Sequence, residues 1–284
     1  YALGKGFLTM STALDNSGHD CNVAIQAESL VMAKQYIATH YGLLRYTIGT
    51  GCSGGSLAVQ WVANAYPGVY QGILPTCSFP DAMTSATQVA DYALLERYWL
   101  TLNSNSVTRG VVWSPTQFGA VEGNLLPVDA VLSVGCLAVA PPYTPSKCPT
   151  GYLSGAVPYF PCAGTTPKSR YNAATNPGGV RCSFFQLNKN LLGVRPKSVW
   201  STAEKKIGRG FAQMPLDNIG VQYGLGALQR GEITPAQIAD LNAHVGGVDI
   251  DLNWRPERLA ASRTALANSY RSGLINETNN LNQT

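Results

Sequence analysis

Apolar and polar positions alternate in short blocks along the first 80 residues. Gly6–Ala13 (GFLTMSTA) is an apolar run that predicts a buried strand, and Asp15–Cys21 is a polar loop. Within Val23–His40 the apolar residues Ile25, Leu30, Met32, Tyr36 and Ile37 fall roughly on one helical face, and Gly42 stops that helix. Arg45–Thr50 (RYTIGT) is β-branched and aromatic, which predicts a strand. Gly51–Gly55 is a glycine-rich turn, Leu57–Ala65 a helix stopped before Pro67, and Gly72–Pro75 the start of another buried strand. This β-α-β-turn-α-β order predicts an α/β fold, a parallel sheet with helices on both faces.

After Pro80 the pattern changes. Val89–Leu102 reads as an amphipathic helix, and Ser114-Pro115-Thr116-Gln117 as a capping box with proline at the first helical position. From Pro127 to Pro196 prolines, glycines and four cysteines accumulate and no long periodic segment survives. Helices return at Asp217–Gln229, Thr234–His244 and Pro256–Leu274, with a second capping box at Thr234-Pro235-Ala236-Gln237 and Gly246 as a C-cap. The expected organisation is an α/β core over 1–80, followed by a helical and loop-rich, disulfide-tied second domain over 81–284.

Composition narrows the function classes. Charged residues make up 13% of the 284, about half the usual share, and the net charge of +4 is spread along the chain. A basic face built for phosphate neutralisation is excluded, and so is a disordered chain. The seven cysteines form no CxxC pair and have no histidine at zinc-like spacing, so they point to disulfides and an oxidising, secreted or periplasmic location. Seven is odd, so one thiol is free or pairs outside this chain. Tyr46–Pro80 carries no ionisable Asp, Glu, Lys, Arg or His, but Gly, Gln, Asn and proline interrupt it, and it reads as buried core rather than a membrane span. No signal peptide is visible, and both ends read as cut.

Gly51-Cys52-Ser53-Gly54-Gly55 fits G-x-S-x-G between a strand and a helix. That is the setting of a nucleophile elbow, where a sharp turn lifts a serine hydroxyl above the sheet edge. Glycines are expected at 51 and 55 because side chains there would meet neighbouring backbone. The Gly54 N–H, at the helix start, is placed to donate to an oxyanion. The plainer alternative, a phosphate-binding turn, would use GxGxxG or GxxxxGK[ST], and neither occurs. Cys52 as nucleophile is disfavoured, because its position points away from the tip of the turn. A serine nucleophile needs an acid and a histidine, and in this architecture both follow it in the chain. Of the three histidines only His244 follows Ser53, and it falls within a predicted helix of the second domain. His19 could line the mouth of the site as a substrate contact, and His40 ends a helix. A second oxyanion donor, from a loop two strands earlier, is also lacking.

Lys5-Gly6-Phe7 through Ser11-Thr12 and Gly18-His19, then His40-Tyr41-Gly42, the elbow, Ala65-Tyr66-Pro67 and Tyr70-Gln71-Gly72-Ile73 resemble the tannase and feruloyl esterase family. That resemblance implies an α/β-hydrolase fold, ester hydrolysis by Ser53, and a disulfide joining Cys52 to a cysteine beside the catalytic histidine. The family has Ser-Thr-Gly-Gly where this chain has Ser53-Gly54-Gly55. A closer resemblance is to bacterial secreted hydrolase-like proteins without assigned function. It rests on the GCSGG elbow, on Asn176–Cys182 and Asp217–Leu225, and on Asp240-Leu241-Asn242 and Gly246–Asp249. In both groups the acid and histidine follow the lid, so this chain resembles the middle of a longer protein, with the region Thr84–Trp254 as lid.

Weaker signals remain. Asp249, Asp251 and Asn253 alternate oxygen ligands as a calcium loop does, and some tannase-like lids bind calcium; but Trp254 and Ala260 stand where an EF-hand needs Gly and Glu. No other cofactor is implied. Asn276-Glu277-Thr278 and Asn282-Gln283-Thr284 match the glycosylation sequon, usually accidental in a bacterial protein. Tyr143, Tyr152, Tyr159, Phe160, Phe184, Phe185 and Trp200 crowd the second domain and could line an apolar groove, though packing is their commoner fate. Two function classes stay open: a secreted carboxylic ester hydrolase, completed by residues or a chain outside 1–284, and a binding or assembly module that keeps the fold without a triad. Neither implies a nucleic-acid partner.

Overall fold

The computed structural model describes residues 1–12, 14, 22–123, 165–166, 168–181 and 183–277. His19, Cys21, Cys136, Cys148, Cys162, Cys182, the aromatic residues Tyr143 to Phe160 and the sequon at Asn282 lie outside these residues. The chain is mixed α/β and divides into two compact units, residues 1–85 with 267–284, and residues 86–266. No helix among the described residues is long and apolar enough to cross a membrane.

In the first unit, α1 (Val23–Tyr41) starts where the Asn22 side chain accepts from the Ala24 and Ile25 N–H groups, and ends at Gly42 with φ +105°. Its buried residues are Val23, Gln26, Ala27, Leu30 and Ile37. The expected face was misphased: Leu30 and Ile37 are buried, whereas Ile25, Met32 and Tyr36 are exposed. The small side chains of Val23 and Ala27, less conspicuous in the sequence, form the packed stripe instead.

β1 (Ile48–Cys52) pairs in parallel with β2 (Gly72–Thr76), from Ile48 opposite Gly72 to Cys52 opposite Thr76. Between them α2 (Gly54–Ala65) buries Leu57, Ala58, Val59, Trp61, Val62 and Ala63. Of the expected strand at Gly6–Ala13, the described residues 6–12 form none. Leu3–Lys5 make a 3-10 turn, and beyond it Phe7, Leu8 and Met10 are exposed. A strand needs a neighbour, and among the described residues β1 bonds only to β2. Among the described residues helices do not cover both sheet faces either. Gly49 and Gly51 face α2, while the opposite face leaves Ile48 51% and Leu74 62% exposed. The unit closes on itself: the Trp61 indole N–H donates to the Leu274 carbonyl at 3.1 Å, and buried Asp81 accepts from Thr84 N–H at 2.6 Å and from Asn276 N–H at 3.0 Å.

α3 (Ala82–Thr108) runs on into the second unit. There Leu94, Leu95, Tyr98, Trp99, Val111 and Trp113 pack with Tyr223, Ile233, Leu241 and Val245. Both capping boxes form as the sequence predicts, at Ser114 before α4 (Pro115–Glu122) and at Thr234 before α9 (Pro235–His244). Between α4 and α9 lie α5 (Phe184–Leu187), α6 (Lys189–Leu192), α7 (Thr202–Ile207) and α8 (Leu225–Gln229). After α9, β3 (Gly247–Val248) pairs antiparallel with β4 (Trp254–Arg255), and α10 spans Arg263–Arg271. Two predicted helices are shorter than expected. Residues 217–224 are irregular, because Asn218 turns its side chain inward to Gly246 O at 2.9 Å and Leu259 N–H at 2.7 Å, and Gly220 and Gly224 take positive φ. Likewise 256–262 stays irregular, with Ala261 N–H bonded to Asp217 at 2.9 Å.

Asp240 on α9 ties this unit together. It accepts from the Tyr98 hydroxyl at 2.6 Å and from Arg109 at 2.6 and 2.8 Å, and the His244 Nδ1 stands 3.3 Å away. The Arg109 guanidinium holds the Asp240 carboxyl below its ordinary range, against the opposing effect of burial. A depressed carboxyl contributes stability above its unfolded pKa, and that contribution is lost as pH falls through the folded pKa. Asp240→Asn is therefore expected to cost about 1–3 kcal/mol at pH 7. The gap to the wild type should hold from pH 7 to about 5 and narrow as pH falls below about 4, measured by urea unfolding.

Candidate active site

Ser53 is the single residue between β1 and α2. Its backbone stands at φ +55°, ψ −116°. Among the described residues only two other non-glycines have positive φ, Cys77 at +49° and Leu252 at +62°. Such a conformation costs an L-residue of order 1–3 kcal/mol, so neighbours must hold it. The Ser53 N–H donates to Thr76 O at 3.1 Å, and the Thr76 hydroxyl donates to Gly51 O at 3.1 Å. On the other side the Ser53 carbonyl accepts from Leu57 N–H at 3.1 Å and from the buried Ser56 hydroxyl at 2.7 Å.

Cys52 and Cys77 are joined by a disulfide across a sequence separation of 25. A cross-link over that span restricts the unfolded chain by roughly 3–4 kcal/mol, comparable with the strain in the two positive-φ residues it adjoins. The family resemblance placed the partner of Cys52 beside a catalytic histidine; here the partner is Cys77, at the exit of β2. The loop leaving β2 is also tied to α2. The Gln60 side-chain amide donates to Ser78 Oγ at 3.0 Å and to Phe79 O at 2.9 Å.

The result is an exposed Ser53 side chain at the carboxyl end of β1, with its hydroxyl bonded to no described residue. The first turn of α2 begins beside it, and the Gly54 N–H is one of the donors that an α-helix start leaves unpaired. The positive end of the helix dipole points the same way. Gly51 is required by contact: a Cβ there would lie 2.4 Å from the Gly55 carbonyl carbon. The expectation for Gly55 is corrected. A Cβ built on Gly55 meets nothing within 4 Å, so the close approach restricts only position 51.

The other sequence-predicted residues are engaged elsewhere or undescribed. His40 ends α1, stacked on Tyr36 with its Nδ1 2.8 Å from the Tyr36 carbonyl. His244 belongs to the second unit, where its Nδ1 lies 2.8 Å from Asp240 O. Phe185 is buried. Trp200 bonds through its indole N–H to Arg195 O at 2.9 Å. The calcium reading does not fit the donors. Asp249 bonds Asp251 N–H at 2.8 Å, Asn253 N–H at 2.9 Å and Arg255 at 3.1 Å. Asp251 pairs with Arg181 and accepts the Tyr171 hydroxyl at 2.8 Å. Two arginines already supply the positive charge a cation would bring. No group of three or more His, Cys, Asp or Glu suited to a metal occurs among the described residues.

Sequence reasoning missed Cys77, Thr76 and Gln60. Cys77 was legible in part: carrying both predicted strands to their ends brings Cys52 and Cys77 to the same sheet edge. Gln60 carried no signal, since its role depends on the path of the loop after β2.

The chain belongs to the tannase-like family of unknown function DUF6351, whose model matches residues 1–284. Neither a curated protein nor a solved structure matches it.

The contrast between the two glycines is testable. Gly51→Ala is expected to force β1 and α2 apart and to lower the melting temperature by several degrees. Gly55→Ala should shift it by no more than a degree or two, since a Cβ there meets open space. Differential scanning calorimetry of the two variants checks this.

Proposed function

We propose that this member of a tannase-like family is a secreted serine hydrolase of carboxylic esters, with Ser53 as nucleophile. The observation that supports it best is the one-residue turn at Ser53, held at positive φ between a parallel strand and the start of a helix. That is the geometry a nucleophile elbow needs. Ser53 Oγ attacks the ester carbonyl carbon while a general base takes its proton. The tetrahedral oxyanion accepts from the Gly54 N–H, in the field of the α2 dipole. Collapse expels the alcohol and leaves an acyl group on Ser53. Water, activated by the same base, releases the acid and restores the hydroxyl.

The base and its acid come, on this reading, from outside residues 1–284. His40 is engaged at the end of α1 and His244 with Asp240, which argues against either in that role. His19 stays a candidate substrate contact. Residues 1–80 would be the hydrolase core, and 81–284 the lid and return helices. A lid of that size suits a bulky substrate, such as an aromatic ester or a polyester oligomer. The Cys52–Cys77 disulfide fits an oxidising compartment, in keeping with secretion or a periplasmic location.

A second reading, a binding module that keeps the fold without turnover, draws on one observation: no described residue bonds the Ser53 hydroxyl as a base would. Fluorophosphonate labelling with peptide mapping separates the two. The hydrolase reading predicts a label on Ser53 that Ser53→Ala abolishes. Absence of label on the natural material, at any pH between 6 and 9, would remove it.

A further inference from the structure

We propose that the Cys52–Cys77 disulfide is a latch that holds Ser53 in its positive-φ turn, so that the elbow opens when the bond is reduced. Of the three non-glycine residues at positive φ among the described residues, two adjoin this bond: Cys77 forms it, and Ser53 follows Cys52. The supports of Ser53 are unequal. Its carbonyl side is anchored in α2 by Leu57 N–H and by the Ser56 hydroxyl, and Ser56 is fully buried. Among the described residues its amide side is held at the end of the β1–β2 ladder by Thr76, through Ser53 N–H to Thr76 O and the Thr76 hydroxyl to Gly51 O, both 3.1 Å.

Cys52, Ser53, Thr76 and Cys77 are all exposed, so water competes for those bonds. A terminal rung of a ladder with an open face frays easily. The disulfide keeps Thr76 opposite Cys52 without depending on that competition. With the bond cut, the rung opens, Ser53 relaxes to negative φ, and its hydroxyl leaves the mouth of the α2 N-terminus. A dithiol supplies the chemistry. One thiolate attacks a disulfide sulfur, and the second thiol resolves the mixed disulfide. Two electrons and two protons pass to Cys52 and Cys77 as thiols, and the reductant leaves as a cyclic disulfide. Both sulfurs sit on exposed residues, so the exchange has access.

The consequence for activity rests on the serine-hydrolase reading; the conformational claim does not. Amide hydrogen exchange on the whole chain therefore comes first, comparing the oxidised wild type with a Cys52→Ala/Cys77→Ala variant and with wild type treated with dithiothreitol. The latch predicts at least tenfold faster exchange at Ser53, with Val62 and Ala63 in the buried part of α2 unchanged. Equal exchange at Ser53 overturns it. So does acceleration through all of α2 in both reduced forms, which would make the bond a general support of the unit. The fluorophosphonate labelling rate of Ser53 is the second readout, expected to fall at least tenfold on reduction and to recover on reoxidation. Labelling that is unaffected by reduction overturns the gating. A wild type that does not label at all refutes the hydrolase reading, and the exchange result still decides the latch.

Discussion

The first unit is organised by one steric constraint: a helix begins a single residue after a strand ends. That leaves no room for a side chain at Gly51, whose missing Cβ would lie 2.4 Å from Gly55 backbone. The intervening residue, Ser53, stands at positive φ. The strain is not relieved locally. It is held by the packing of α2 on one side and by the end of β2 on the other, so the position of one hydroxyl depends on two neighbouring elements.

The second unit meets a different problem, burying polar groups in a chain with few charges. It solves it by pairing. Asp240 with Arg109, Asp251 with Arg181, and Glu204 with Arg195 each join a buried or half-buried carboxylate to an arginine. The Arg181 guanidinium also lies 4.1 Å from the Phe211 ring and 4.4 Å from the Tyr171 ring. The Asp251–Arg181 pair, together with Asp249–Arg255, accounts for the two aspartates that looked like metal ligands in the sequence. An acidic alternation such as Asp249-Ile250-Asp251 has the same spelling whether its partner is a cation or an arginine distant in the chain.

What could be read from the sequence was local. The capping boxes at Ser114 and Thr234, the turn around Ser53 and the order of the first strand–helix–strand unit depend on neighbours within a few residues. Features that depend on distant partners were not legible. Gly6–Ala13 has a strand's composition but no ladder partner among the described residues. Residues 217–224 have a helix's spacing, but Asn218 finds better bonds at Gly246 and Leu259. The candidate site was half legible for the same reason: Ser53 and Gly54 lie on one continuous motif, whereas Cys77 and Gln60 join it through the fold.

The most direct test of this account is a crystal structure of the protein after exposure to a fluorophosphonate. The account predicts continuous density from Ser53 Oγ to phosphorus, Ser53 at positive φ, and a phosphonyl oxygen within hydrogen-bond distance of the Gly54 N–H. An unmodified Ser53 with negative φ, or a phosphonyl oxygen turned away from Gly54, would contradict it.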